Sequence, residues 1–398
     1  MEMDYYANIE ALTEDNKRVF VKILRFGPLT KKKIIEYTRM KLTTLNRSIQ
    51  VLMHAKLIVE IGEQASTGGR KPALFDVNSM AYYLVGIDIS RTYSKLIITN
   101  LKREILFDKE FEMKHDMTPD KTVDCIKKLY ARGLQSLGLK KESILGGGLG
   151  TIGPLDPSDG IIYKPSNFYA KGWTNVPIKR MLEEALGIKM VIDNGANTAV
   201  YGEYLSRSLI EYNNIVYVNC GIGIRTGVMA GGTIISTIHN SNDAFGHMVV
   251  NFDGEPCYCG QYGCMECYAS ILAIEKKYRS YLKLGQETDI NKPISQITYG
   301  DIIRAADHGE ELAQKVLASA ARILGIGLVN YVTLVNPEKI ILSGPMMNLS
   351  DIFYLMVIRY IRSVLKDGHS IVFVRGGAYK DNAIALGAAH IFLRDRLQ

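Results

Sequence analysis

One histidine and three cysteines stand at spacings that could hold a metal ion. His247 is followed after nine residues by Cys257-Tyr258-Cys259, and after four more by Cys264-Met265-Glu266. One imidazole and three thiolates make a closed tetrahedral set, the structural type of Zn2+ site, with no position left for a catalytic water. A free cysteine is ordinarily a small buried hydrophobe. Three within eight residues, interleaved with Gly260 and Gly263, are hard to explain by packing. Cys267 is a spare thiol nearby, compatible with a core position. Clustered cysteines in a cytosolic chain point to metal rather than disulfides.

A second group of residues could do a different chemistry, on a polyanion. From Lys17 to Lys56 there are eleven Lys or Arg residues against one acid, Glu36, while the 398-residue chain has a net charge of only +7. The rest of the chain is therefore near neutral or slightly acidic. A basic head on such a body fits a nucleic-acid partner, and charge alone fits a solvated basic surface equally well. Within the head, Leu42, Leu45, Ile49 and Leu52 fall on one helical face, and Thr43, Thr44, Asn46, Arg47 and Gln50 on the other. Those side chains suit phosphate oxygens and base edges in a major groove.

The elements that must carry these residues can be read from periodicity. Val19, Phe20, Ile23 and Leu24 form an apolar stripe within 16–26, stopped by Gly27-Pro28. Thr30 can cap a short helix through Ile34, Ile35 and Tyr37. The Leu42–Leu52 helix follows, then β-prone runs at Leu57–Ile61 and Ala73–Val77 around Ser66-Thr67-Gly68-Gly69-Arg70-Lys71-Pro72. This order predicts a winged helix-turn-helix over 1–78, with Arg70 and Lys71 at the wing tip. The competing reading is a small helical dimerisation domain.

Beyond Val77 the pattern changes. Tyr82–Asp88, Lys95–Thr99 and Ile105–Phe107 read as strands, and a similar layout recurs at Ile215–Asn219, Gly221–Gly223 and Gly227–Ala230. Helical stretches are expected at Thr118–Leu137, Ile178–Ala185 and Glu310–Val332. Strand, turn and return strand occurring twice suggest a duplicated α/β body over 79–398. No signal peptide and no run of about 18 uninterrupted apolar residues is evident. The expectation is a cytoplasmic chain with no membrane partner.

The metal-type stretch resembles the signature of the ROK family (repressors, open reading frames and sugar kinases), approximately Gly-Glu-x-Gly-His, a spacer and Cys-x-Cys-Gly-x-x-Gly-Cys-x-Glu. Gly246-His247 and the run Cys257 to Glu266 match it. Looser matches are Gly153-Pro154-Leu155-Asp156, Trp173-Thr174-Asn175-Val176-Pro177, Asn194-x-Ala196-Asn197, Ile341-Leu342-Ser343-Gly344 and Ala385-Leu386-Gly387-Ala388-Ala389. The head, with Gly69-Arg70-Lys71-Pro72, resembles repressors of the xylose and N-acetylglucosamine type in that family. The resemblance implies a two-lobed actin-like/ribonuclease-H-like sugar-kinase fold, with lobes of about 79–195 plus a C-terminal return and about 196–380. It also implies a homodimer or dimer of dimers on a pseudo-palindromic double-stranded DNA operator.

The departures bear on activity. Where family kinases carry Asn-Asp-Ala-Asn, whose Asp is the catalytic base, this chain reads Asn194-Gly195-Ala196-Asn197, and glycine cannot accept a proton. Asp193, if it shares a strand with Gly195, is displaced by about 6–7 Å. The first phosphate turn, approximately Asp-x-Gly-x-Thr, is Asp88-Ile89-Ser90-Arg91-Thr92. The second has Ile222 for threonine and Arg225 for glycine. No enzyme activity is expected. Asn194, His247 and Glu266 match the remaining sugar-contact positions, implying a sugar or phosphosugar effector. The family's Glu three residues before the histidine is Ala244, which weakens that implication. Glu266 suits equally an orienting role for the zinc loop. An active kinase with a DNA-binding appendage, and a constitutive DNA-binding dimer with a scaffold body, are the competing readings.

Overall fold

The computed structural model describes residues 9–63, 72–235, 245–365 and 371–397. The chain divides into two compact units, Met1–Ile210 with Ile384–Gln398, and Glu211–Ala383. The head therefore shares a unit with the first lobe, and the second unit begins at Glu211 rather than at 196.

The head opens with α1 (Glu14–Phe26), capped by Thr13, whose hydroxyl accepts from the Asn16 N–H, and burying Val19, Phe20 and Ile23. The strand β1 (Leu29–Thr30) leads into α2 (Lys31–Thr38). Thr30 caps α2 as its position predicts, accepting from the Lys33 N–H at 3.3 Å. Next, α3 (Leu42–His54) buries Leu45, Ser48, Ile49 and Leu52 and packs on α1. Leu42, expected on that apolar face, is 53% exposed. It is the first residue of α3, so its side chain leans back past the packed face. The strands β2 (Ile58–Glu63) and β3 (Ala73–Val77) complete an antiparallel sheet of order β1-β3-β2.

The head is built into the first lobe. One apolar cluster runs from Phe20, Leu45 and Phe75 to Tyr82, Leu101, Leu145 and Phe392. Polar ties run beside it. The Tyr82 hydroxyl donates to the Ala55 carbonyl at 2.8 Å, and Arg103 Nη1 donates to the Leu24 carbonyl at 2.9 Å. Lys102 pairs with the buried Asp76 carboxylate at 2.7 Å.

The lobe itself is a five-stranded sheet. The strands β4 (Tyr83–Ile89), β5 (Tyr93–Asn100) and β6 (Ile105–Glu112) form an antiparallel meander. The strands β7 (Ile144–Thr151) and β10 (Met190–Asn194) then add in parallel, giving the order β10-β7-β4-β5-β6, while β8 (Leu155–Asp156) pairs with β9 (Ile161–Ile162) separately. Every residue of β4 is buried because both sheet faces are covered. One face carries α4 (Pro119–Leu137), capped by Thr118 and ended by the left-handed Gly138, which packs on α5 (Ile178–Leu186). The other meets the returning helix, whose residues from Ile384 belong to this unit. A Cβ on Gly86 or Gly148 would run into the Ala385 or Ala388 carbonyl, so those glycines let helix and sheet backbones touch. The edge strand β6 runs five residues past the expected Phe107. Its exposed Asp108, Lys109 and Glu110, beyond the expected strand, suit a charged sheet edge.

Asp193 and Gly195 do not share a strand. The chain leaves β10 at Asn194, which caps α6 (Gly195–Tyr204), so Gly195 is the first helical residue.

The second unit repeats the plan. The strands β11 (Ile215–Cys220), β12 (Ile224–Ala230) and β13 (Thr233–Ile234) form a meander, and β14 (Lys339–Ser343) and β15 (Val372–Arg375) add in parallel, in the order β13-β12-β11-β14-β15. The two sheets thus share one strand order, the duplication that the recurring hairpins predict. Its helices are α7 (Glu266–Ala269), α8 (Ile271–Lys283), α9 (Tyr299–Asp307), α10 (Glu311–Val335), α11 (Pro345–Leu349) and α12 (Asp351–Val364). The chain then returns as α13 (Ala383–Leu397). Among the described residues α10 alone is long and apolar enough to cross a membrane by length and composition. Its buried face, with Val316, Leu317, Leu324 and Leu328, forms the middle of this unit's core.

Candidate functional site

The metal-type residues meet in the second unit. Two isolated bridges, Val249↔Cys264 and Pro256↔Tyr262, fold 249–264 back on itself. Within the fold Cys257 N–H donates to the Gln261 carbonyl at 2.8 Å, and Gly260 N–H to the Cys257 carbonyl at 3.0 Å. Gly260 and Gly263 have φ of +91° and +68°, a region that non-glycine residues rarely occupy. At Gly263 a Cβ would also collide with the Asn251 backbone. The loop brings one donor atom each from His247, Cys257, Cys259 and Cys264 within 4.8 Å of one another, a set that could hold a metal ion.

Cys259 Sγ lies 3.6 Å from Cys264 Sγ, and Cys257 Sγ lies 3.5 Å from His247 Nδ1. His247 Nε2 faces the Tyr258 hydroxyl at 3.2 Å. Burial holds the His247 imidazole below its ordinary value, opposed by the Glu266 carboxylate and reinforced by the Arg225 guanidinium. Burial also pushes the Cys264 thiol up, a preference that a bound cation reverses. Cys267 is outside the set, its thiol 3.9 Å from the Pro256 carbonyl.

Glu266 opens α7 directly after this loop and is 7% exposed. Its Oε2 accepts from the Ile224 N–H at 2.8 Å, and its own N–H donates to the Gly246 carbonyl at 2.9 Å. The side chain thus ties the metal-type loop to the start of β12. The turn it supports runs 221–223. There Gly221 N–H donates to the Gly223 carbonyl at 3.0 Å, and the Ile271 N–H donates to the Gly221 carbonyl at 3.0 Å.

In the first unit the corresponding turn follows β4. Asp88 is 1% exposed. Ser90 Oγ donates to its Oδ1 at 2.7 Å, and the Tyr93 hydroxyl to its Oδ2 at 2.9 Å. Ser90, which the resemblance puts in place of a phosphate-turn glycine, therefore turns inward onto the aspartate. In the same unit Asn194 Oδ1 accepts from the Ala196 N–H at 2.9 Å. Asp193 accepts from the Asn194 N–H and from Asn197 Nδ2, while burial pushes its carboxyl above the ordinary range. Of the positions expected to contact a sugar, Asn194 belongs to the first unit, and His247 and Glu266 to the second.

On the head, Thr43, Arg47 and Gln50 are exposed along one stripe of α3, and Thr44 and Asn46 are half-buried at its borders. Lys31 Nζ donates to Asn46 Oδ1 at 2.8 Å. Sequence reasoning misses Lys31, which sits 15 positions away on another helix, and it misses Tyr258 as the partner of His247. The alternation Cys257-Tyr258-Cys259 is the available signal for Tyr258. Arg70, Lys71 and Ala244 lie outside the described residues.

Comparison with known proteins agrees with this architecture. The xylose repressor of Bacillus spizizenii is 29% identical over 388 residues, covering 95% of this chain and 94% of that protein. The N-acetylglucosamine repressor of Escherichia coli O157:H7 is 23% identical over 338 residues, covering 85% and 82%. A crystal structure of a ROK family transcriptional regulator, described as a homolog of the E. coli MLC protein, superposes with a TM-score of 0.80 at 20% identity, covering 98% of this chain and 97% of that one. The ROK hexokinase of Thermus thermophilus matches with a TM-score of 0.66 at 24% identity, covering 79% of this chain and 99% of its own. The ROK family pattern spans residues 84–395, most of both units, and the chain belongs to the ROK family.

Proposed function

We propose that this protein is a DNA-binding transcriptional repressor of sugar metabolism, acting in the cytoplasm. The observation that carries the reading is the outward stripe Thr43, Arg47 and Gln50 on α3, in a head holding a net +10 between Lys17 and Lys56. Here α2 and α3 form a helix-turn-helix, and β2 and β3 the base of a wing. Thr43, Thr44, Asn46, Arg47 and Gln50 enter a major groove, and Arg70 and Lys71 carry the wing charge to phosphate or minor groove. Repressor names among the relatives support the same reading. A homodimer or dimer of dimers on a pseudo-palindrome is the assembly it calls for.

The His/Cys set fits Zn2+. With Zn–S near 2.3 Å and Zn–N near 2.0 Å, tetrahedral donors stand roughly 3.5–3.8 Å apart. The Cys259–Cys264 and His247–Cys257 separations, 3.6 and 3.5 Å, match that spacing. His247 Nδ1 is then the ligand atom, and its Nε2–H donates to the Tyr258 hydroxyl, which fixes the tautomer. Bound zinc supplies a cross-link for the loop and, through Glu266, a support for the 221–223 turn. The body is not a kinase in this reading, because Gly195 offers no base and Ser90 occupies Asp88. Its effector is a sugar or phosphosugar, with Asn194, His247 and Glu266 as the polar contacts, reaching His247 at Nε2 in place of the Tyr258 hydroxyl. The effector shifts DNA affinity only by binding two states unequally.

The test is selection of bound fragments from genomic DNA by the full chain at fixed salt, followed by Arg47→Ala and Arg70→Ala on the selected site. Each change should weaken binding about tenfold or more, and where the arginine meets a phosphate, its removal should lower the salt slope by about one. No selected fragment, or unchanged affinity in both variants, refutes the reading. A sugar phosphorylated in a coupled assay would revive the kinase.

A further inference from the structure

We propose that Lys31 sets the base preference of Asn46, so that the pair reads guanine rather than adenine at one operator position. The inference rests on the repressor reading above. Asn46 sits on α3 beside the Thr43–Arg47–Gln50 stripe, and its Oδ1 accepts from Lys31 Nζ at 2.8 Å. Chemistry alone orients the amide. An ammonium has only donors, so the oxygen must face Lys31 and the NH2 must point away from it. Lys31 is itself held in place. It begins α2, and its ammonium stands 5.8 Å from the centroid of the Phe75 ring. That ring is 2% exposed and fixed in the core. A cation within about 6 Å of an aromatic face is attracted to it.

An unengaged asparagine reads adenine with both ends of its amide, donating to N7 and accepting from the N6 amino group. Here one of the two lone pairs of the accepting end already carries a cation, and an N6 amino group approaching the other would bring its positive hydrogens beside the ammonium. Guanine presents two acceptors, N7 and O6. The Asn46 NH2 and the remaining ammonium hydrogens of Lys31 present donors only. The pair therefore complements guanine better than adenine. A purely structural brace between α2 and α3 would change stability and leave base preference untouched.

The experiment is selection from a randomised double-stranded pool by the full chain at fixed salt, repeated with Asn46→Ala, Lys31→Met and Lys31→Arg. Melting curves check that each variant is folded. The wild type should return a defined site, and Asn46→Ala should relax one position in it. At that position the wild type should favour guanine over adenine by about tenfold. Lys31→Met should turn the preference toward adenine, and Lys31→Arg, which keeps the donors, should retain guanine. A wild-type preference for adenine there, or a guanine preference that survives Lys31→Met, overturns the inference. If the wild type selects a site and Asn46→Ala relaxes nothing, the repressor reading stands and the Lys31–Asn46 inference falls. If the wild type selects no site, the repressor reading has failed, and the inference falls with it.

Discussion

In the first unit the turn after β4 is closed by its own side chains, whereas in the second the turn after β11 is closed by its neighbours. Ser90 and Tyr93 satisfy Asp88 from two and five residues away. Ile224 depends on Glu266, 42 residues downstream at the start of α7, directly after the metal-type loop. Yet the two sheets have the same strand order. Strand order is held by buried residues that must pack on both faces, as in β4 and β14. Turns at the strand ends carry no such constraint, so their chemistry can change while the sheet persists. One turn has been filled, and the other has been attached to a different element.

The largest expected effect comes from breaking that attachment at its source. Cys264→Ser, or removal of metal with a chelator, should release zinc at about one per chain and lower the melting temperature by about 10 °C. A loss near 3–4 kcal/mol shifts a unit of this size by roughly that much. Hydrogen exchange should rise at Ile224 and its neighbours and stay constant at Ser90 and Tyr93. Equal loosening of both turns would mean that the units do not differ as described. Metal content unchanged by Cys264→Ser would remove zinc from the account.

Much of this contrast is legible in the sequence. The His/Cys spacing, the duplicated hairpins and the cap at Thr30 are local signals, each expressed within a few residues. What cannot be read there depends on distant partners. Leu42 obeys the apolar period yet is exposed, because periodicity does not say where a helix overhangs its support. Whether Gly195 shares a strand with Asp193 is left open by the sequence, since a five-residue β10 followed at once by a helix leaves little pattern for either. The head reads as a separate domain ending at 78. Its ties to Tyr82, Lys102 and Arg103 span between 26 and 79 residues and leave no trace in local composition. Glu266 is evenly balanced between two roles in the sequence, and its bond to Ile224 supports the structural one.

The contrast sharpens with two single changes of intermediate size. Glu266→Ala leaves the Ile224 N–H buried without its acceptor, at a cost of about 1–3 kcal/mol, or roughly 5 °C in melting temperature. Tyr93→Phe removes one of the hydroxyls on Asp88 while Ser90 keeps the other, so about 1 kcal/mol and a smaller shift are expected. Glu266→Ala should also disturb metal retention, which Tyr93→Phe should not. Metal loss in both, or in neither, would break the asymmetry between the turns.

The smallest effect on stability is expected at the position that bears most directly on catalysis. A Cβ at Gly195 would meet only Ile384 and the Thr151 carbonyl, at 3.5 Å, an ordinary packing distance. Sterics therefore do not require glycine there. As the first residue of α6, an aspartate gains about 0.3–1 kcal/mol from the helix N-terminus, which desolvation of a carboxylate at this buried position offsets. Gly195→Asp should fold with little change in stability, and should still transfer no phosphate from ATP to any sugar. A carboxylate is supplied, but Ser90 still occupies Asp88, and the second turn still carries Ile222 and Arg225 where the family resemblance implies a threonine donor and a glycine. Phosphoryl transfer depends on holding the phosphates as much as on a base. Measurable turnover in Gly195→Asp would mean that neither closure abolishes phosphate binding, and the contrast between the turns would then concern stability alone.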